Sequence, residues 1–139
     1  MATAVRDVMA KNPVTLSKST PLIEAAKSMK EKDIGNVIVF DNGQIEGVVT
    51  DRDIVVRAIA EGRDPNNTKL EEVCSSGVVT LPPDASLDEA AKLMRDKKVR
   101  RIPIEENGKP VGIVSIGDLA MKLDDRSALA DISAAGGNN

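Results

Sequence analysis

Two runs in this chain place a hydroxyl three residues before a carboxylate, directly behind an apolar stretch that opens on glycine. They are Gly47-Val48-Val49-Thr50-Asp51-Arg52-Asp53 and Gly112-Ile113-Val114-Ser115-Ile116-Gly117-Asp118. Each falls where a strand should give way to a helix. The first turn of a helix leaves backbone N–H groups unsatisfied and partly positive, which favours an anion such as phosphate. Thr50 or Ser115 can donate to a phosphate oxygen, while Asp53 or Asp118 can accept from two adjacent ribose hydroxyls. The same spacing also writes an acidic capping box, in which the two side chains close the helix on itself without any ligand. On the residues alone both readings stand.

Other chemistries are poorly supplied. The 139 residues contain no histidine and one cysteine, Cys74. That excludes a Cys/His zinc site, a Ser-His-Asp or Cys-His pair and an intrachain disulfide. Asp51 and Asp53 do not converge as metal ligands from neighbouring helical positions, so magnesium is expected only in company with nucleotide phosphates. No base stands against a nucleophile, and the chain is read as non-enzymatic. Nineteen Lys and Arg against 22 Asp and Glu give a net charge of −3, without the basic excess that nonspecific nucleic-acid binding relies on. Phe40 is the one aromatic residue, so stacking platforms are absent too. No apolar run approaches the ~20 residues of a membrane span, and Arg6 and Asp7 fall where a signal peptide needs apolar residues. No nucleic acid, no membrane and a cytoplasmic location are therefore expected.

The elements that must position the two runs come in duplicate. A shift of 65 residues aligns 5–54 with 70–119 without a gap and gives 16 identical pairs in 50 positions, among them Leu22/Leu87, Met29/Met94, Asn42/Asn107, Gly47/Gly112 and Asp53/Asp118. Each copy reads as β-α-β-β-α behind a short helical turn, which makes the fold class α+β. The turns are expected at 5–9 and 69–73, the latter started by Thr68 three residues before Glu71. Extended pieces follow at 14–16 and 79–81. Amphipathic helices carry Leu22, Ala25, Ala26 and Met29, or Leu87, Ala90, Ala91 and Met94, at the spacing of one helix face. Thr20-Pro21 and Ser86 with Glu89 mark their starts. Hairpin strands at about 35–40 and 44–50, and at about 100–105 and 110–115, are joined by Asn42-Gly43 and Asn107-Gly108, a strong hairpin signal. A last helix runs through Ile54, Val55, Ala58 and Ile59, or through Leu119 and Met121. The copies are assigned to 1–62 and 63–127, the linker to 61–67, and a frayed tail to 128–139. Because a lone hairpin buried on one face is unstable, the two sheets are expected to pack face to face in a pseudo-two-fold pair.

These features resemble the CBS domain, named for cystathionine β-synthase, and the pair resembles a tandem CBS, or Bateman, module. The resemblance covers 5 to about 123. It rests on Val5-Arg6-Asp7-Val8-Met9, on the runs 47–53 and 112–118, and on Val99-Arg100-Arg101-Ile102-Pro103-Ile104. The stretch from Thr50 to Val56 running on to Gly62-Arg63-Asp64-Pro65-Asn66 is similar to stand-alone prokaryotic two-CBS proteins, including those called hypoxic response proteins. The resemblance implies a regulatory module that binds AMP, ADP, ATP, NAD or S-adenosylmethionine in clefts between the copies and commonly dimerises into a flat disc. It implies that Asp53 and Asp118 hold the ribose and that Thr50 and Ser115 face the phosphate, with Arg52 and Gly117 beside them. It also implies that Asn12, Val14, Thr15, Val79 and Thr80 line the base, together with Ile34, Gly35, Asn36 and Val37, or Val99, Arg100, Arg101, Ile102 and Pro103.

The strand starts differ, since Arg100 and Arg101 can meet phosphate and Gly35 and Asn36 cannot. The cleft using Asp118, Ser115 and Arg101 with Val14 and Gly35 therefore ranks first, and the one around Asp53 second. The two arginines can equally complement the negative end of the helix they follow; Lys97 and Lys98 are read as solvated, and Cys74 as a small core residue. Two functions are thus in view: an adenine-nucleotide sensor, dimeric and acting on an unidentified regulated protein, or a ligand-free interaction scaffold whose capping boxes are purely structural.

Overall fold

The computed structural model describes residues 3–74 and 77–123. In chain order it has a 3-10 turn at Val5–Asp7, β1 (Ala10–Lys11), β2 (Thr15–Leu16), α1 (Leu22–Lys32), β3 (Asn36–Asp41) and β4 (Gln44–Thr50). Next come α2 (Asp51–Ile54), running on into a π-helical turn at Val55–Ile59, and a second 3-10 turn at Leu70–Glu72. Then follow α3 (Leu87–Lys97), β5 (Arg101–Glu106), β6 (Lys109–Ser115) and α4 (Ile116–Leu123). This is the α+β architecture the duplicated pattern predicts. The tail expected at 128–139 lies outside the described residues.

Two compact units form, and their borders in space differ from those of the sequence repeat. One spans residues 13–78; the other joins the segment up to residue 12 with the chain from 79 onward. The division at 62/63 therefore describes the duplicated sequence, while each unit is the body of one repeat completed by the leading turn of the other. The reason is burial. Val5, at the head of repeat one, is fully buried among Leu87, Ala90, Met94, Ile102, Ile104, Val114 and Leu119 of repeat two. Leu70 and Val73, at the head of repeat two, are buried among Leu22, Ala25, Met29, Val37, Val39, Val49 and Ala58 of repeat one.

In the 13–78 unit the sheet runs β2-β3-β4, with β2 parallel to β3 (Thr15 opposite Ile38) and β3 antiparallel to β4 (Asn36 opposite Thr50). In the other unit β1 lies antiparallel to β6 (Ala10 opposite Ile113), and β6 antiparallel to β5 (Arg101 opposite Ser115). Both hairpins turn on their Asn-Gly pairs, with φ of 51° and 73° at Asn42 and Gly43 and 54° and 80° at Asn107 and Gly108. Positive φ at both central residues is the hairpin turn that Asn-Gly tolerates and most residues resist. Gly112 has a separate duty. A Cβ there would lie 2.9 Å from the carbonyl oxygen of Ala10 and collide with the Met9 side chain, so only glycine lets β1 cross β6.

Three local expectations are corrected. Thr20 does not cap α1; Pro21 holds the N-cap position without a side-chain bond. The amides of Leu22 and Ile23 donate instead to the carbonyls of Thr68 and Pro65, at 2.8 and 3.1 Å, so the linker and the residue just after it supply what a hydroxyl would have supplied. The turn at 70 is closed by Glu72, which accepts from the Lys69 amide at 2.7 Å, and not by Thr68 with Glu71; the Thr68 hydroxyl donates to the Asp64 carbonyl. The extended piece expected at 79–81 is a single bridge, Leu81 to Ile104. Ser86 and Glu89 do form the reciprocal box at the start of α3.

Candidate functional site

The hydroxyl–carboxylate pairs sit at the two strand-to-helix junctions, and in both the capping box is made. The Thr50 amide donates to Asp53 Oδ2 at 2.9 Å and the Asp53 amide donates to Thr50 Oγ1 at 3.1 Å. The Ser115 amide donates to Asp118 Oδ2 at 2.8 Å, and the Asp118 amide to Ser115 Oγ at 3.1 Å. Both carboxylates are thus folded back onto main-chain amides, as the structural reading of the spacing requires. Each uses one oxygen to do so. An ionised carboxylate has two oxygens and about four acceptor sites, so the box orients the group and leaves Oδ1 outside the cap. All four side chains are half-buried.

The surroundings of the two junctions differ. In the 13–78 unit the Asp51 amide donates to the Gly35 carbonyl at 3.0 Å, and the Asp51 carboxylate lies where a side chain on residue 35 would meet it, 3.2 Å from an added Cβ. At the second junction the Ile116 amide donates to the Arg100 carbonyl at 2.8 Å. Ile116 and Arg100 stand there in place of Asp51 and Gly35, with half-buried Arg101 opposite Ser115 in the ladder. The first junction therefore has a carboxylate beside it, while the second has Ile116 in that place and an arginine pair at the start of the facing strand. Arg52 is exposed, its amide turned to Asp51 Oδ1 at 2.8 Å, and Gly117 has space around it, with Ser115 Oγ 3.7 Å from an added Cβ.

The other predicted residues divide by burial. Val37, Ile102 and Pro103 are fully buried, so their side chains serve the cores and only their backbone could meet a ligand. Ile34 and Val14 pack at the edge of one core, Val99 and Val79 at the edge of the other. Thr15 and Asn12 are exposed, Asn12 at a φ of 55° after β1, while the Thr80 hydroxyl donates to Glu105 Oε1 at 3.1 Å. Asp118, Ser115 and Arg101 share one unit; Val14 and Gly35 belong to the other.

Two features escaped the sequence reading. Arg57 lies one turn beyond Asp53, with Nε 3.8 Å from Asp53 Oδ1 and Nη1 donating to the Val73 carbonyl at 3.1 Å; the Asp-to-Arg spacing of four was the available signal. An apolar groove of about 240 Å³ runs between α3 and α4, lined by Ala91, Met94, Val99, Ile116, Leu119 and the Arg95 stem. Burial pushes the Cys74 thiol above the ordinary range, and the carboxylates of Asp53 and Glu46 push the same way against Arg57. A proton-holding thiol of this kind is a poor nucleophile. Among the described residues no group of three or more Cys, Asp or Glu could hold a metal ion, and no helix is long and apolar enough to cross a membrane.

The family model of the CBS domain matches residues 5–59 and 70–125. The chain is similar to the CBS domain-containing protein YhcV of Bacillus subtilis, 39% identical over 134 residues that cover 94% of this chain and 95% of that one. It is 32% identical to Hypoxic response protein 1 of Mycobacterium tuberculosis, over 95% of this chain and 93% of that one. Among solved structures it matches the CBS domain pair of protein MJ0100 in complex with 5′-methylthioadenosine and S-adenosyl-L-methionine. That match has a TM-score of 0.79 and 26% identity, covering 91% of this chain and all of that one.

Proposed function

Because the chain belongs to the CBS domain family, we propose that it is a non-catalytic sensor, cytoplasmic and homodimeric, which binds an adenosine-containing nucleotide and thereby alters its contacts with a regulated protein. The observation that carries the reading is the orientation of Asp118. Its Oδ2 is pinned by the Ser115 amide, so Oδ1 is preorganised to accept from the paired hydroxyls of a ribose. Ligand then pays little to order the group. Arg101, across the ladder from Ser115, supplies a planar cation for phosphate. The adenosine compounds bound to the MJ0100 pair support the choice of nucleoside. Any magnesium would arrive with the nucleotide's phosphates.

Association is supported by apolar surface on the last helix of each repeat. Val55 and Ile59 are 57% and 52% exposed and Ile116 and Met121 are 53% and 48% exposed, which a second copy would cover. Sedimentation is expected to give a dimer; a monomer at high concentration removes that part of the proposal.

The decisive experiment uses the chain's lack of Trp and Tyr. Co-purified nucleotide would dominate the absorbance at ~260 nm, against which a chain with one aromatic residue contributes almost nothing. Addition of AMP, ATP, NAD or S-adenosylmethionine should raise the melting temperature in step with free ligand, and Asp118→Ala should abolish most of the rise. No shift with any of the four would leave the scaffold reading, with the boxes purely structural.

A further inference from the structure

Arg57 distinguishes the two junctions in a way the repeat does not predict. Its counterpart 65 residues on is Lys122, and among the described residues Asp118 has no ion-pair partner. Asp53 by contrast has Oδ2 hydrogen-bonded to the Thr50 amide and Oδ1 in an ion pair with Arg57 Nε at 3.8 Å, longer than a hydrogen bond. The guanidinium is not loose, because Nη1 also donates to the Val73 carbonyl at 3.1 Å, on the segment that completes this unit's core. The planar fork of arginine serves both partners at once, which a lysine ammonium on a flexible stem does poorly. A sugar reaching for Asp53 Oδ1 must compete with this cation.

We infer that Arg57 is a specificity-determining residue that occupies the acceptor oxygen of Asp53 from within the chain, making the first junction the weaker nucleotide site. The inference rests on the nucleotide reading above. Its magnitude is set by exposure. Arg57 is half exposed, so the pair is screened, and the self-occupied state weakens apparent affinity only in proportion to its population.

The test isolates the first junction in an Asp118→Ala background and measures AMP and ATP affinity calorimetrically with and without Arg57→Gln. Glutamine carries no charge, and it should tighten binding about two- to fivefold. Arg57→Lys, which copies the second repeat, should tighten it less and guards against a glutamine chain that fails to fold. Equal or weaker binding in both variants overturns the inference and makes Arg57 neutral or a phosphate ligand. If the unsubstituted chain and both Arg57 variants bind neither nucleotide, the nucleotide reading falls as well. If the unsubstituted chain binds through Asp118 while the background shows no gain, only the role of Arg57 falls.

Discussion

The Ile38 amide donates to the Val14 carbonyl at 2.8 Å, and the residue at the matching place in the second repeat, Pro103, has no amide hydrogen to give. One missing rung explains why β2 is a strand while its counterpart at 79–81 is reduced to the Leu81–Ile104 bridge. The neighbouring bonds survive, with the Leu81 amide donating to Pro103 and the Glu105 amide to Leu81, at 3.2 and 2.9 Å. Proline removes its own donor and nothing else. Replacement by isoleucine, the residue of the first repeat, should create an amide at 103 that is protected from hydrogen exchange as strongly as that of Ile38. Stability should change by less than about 1.5 kcal/mol. Exchange at the rate of an open loop would refute this account of the difference.

Capping and ligand holding are separable at Asp118. Loss of an N-terminal cap costs about 0.5–2 kcal/mol, so Ser115→Ala and Asp118→Ala should both lower the denaturant midpoint. Asp118→Asn keeps an oxygen for the Ser115 amide and should recover much of that stability. It should still lose most of the nucleotide-induced thermal shift, because the orienting charge is gone. Parallel recovery of stability and ligand response would mean that the carboxylate matters only as a cap.

Gly112→Ala is expected to unseat the segment before residue 12 from β6, since the new Cβ would lie 2.9 Å from the Ala10 carbonyl oxygen. Overpacking of this kind costs about 1–3 kcal/mol. Urea unfolding should register the loss, and exchange at the Ala10–Lys11 amides should accelerate. Gly117→Ala, with nothing nearer than 3.7 Å, should change stability by well under half of that. Similar losses at both positions would argue against the close crossing.

At Cys74 the thiol is raised by burial first and by Asp53 and Glu46 next. The folded chain therefore holds a proton that the unfolded chain releases. The corresponding stability is fully present below the unfolded thiol pKa, about 8.5, and is lost as pH rises toward the folded value. Cys74→Ala should flatten the stability profile above about pH 8.5 relative to the unsubstituted chain. Alkylation of the native thiol at neutral pH should be slower than that of glutathione and should recover its ordinary rate on unfolding.

What could be read from residues alone was whatever is decided within a few positions. The Asn-Gly turns, the buried faces of α1 and α3, the Ser86–Glu89 box and both hydroxyl–carboxylate pairs depend on spacings of two to four residues. The start of α1 was not legible because the carbonyls that satisfy Leu22 and Ile23 belong to Thr68 and Pro65, more than forty positions away. The exchange of leading turns was hidden for the same reason, since Val5 and Leu70 are apolar in any arrangement. At the site, spacing located Asp53 and Asp118 but could not say which oxygen the cap would use, nor that Arg57 would turn toward one of them.

The placement of Val5 and Leu70 bears on ancestry. A primordial polypeptide carrying one copy of this repeat would have lacked the turn that fills each interior here, since that turn comes from the other copy. It would have needed the same turn from a sister molecule, as a reciprocally exchanged pair. Gene fusion would then have secured in one translation product what earlier required an encounter. Separate expression of 1–62 and 63–139 should accordingly yield fragments that fold only when mixed.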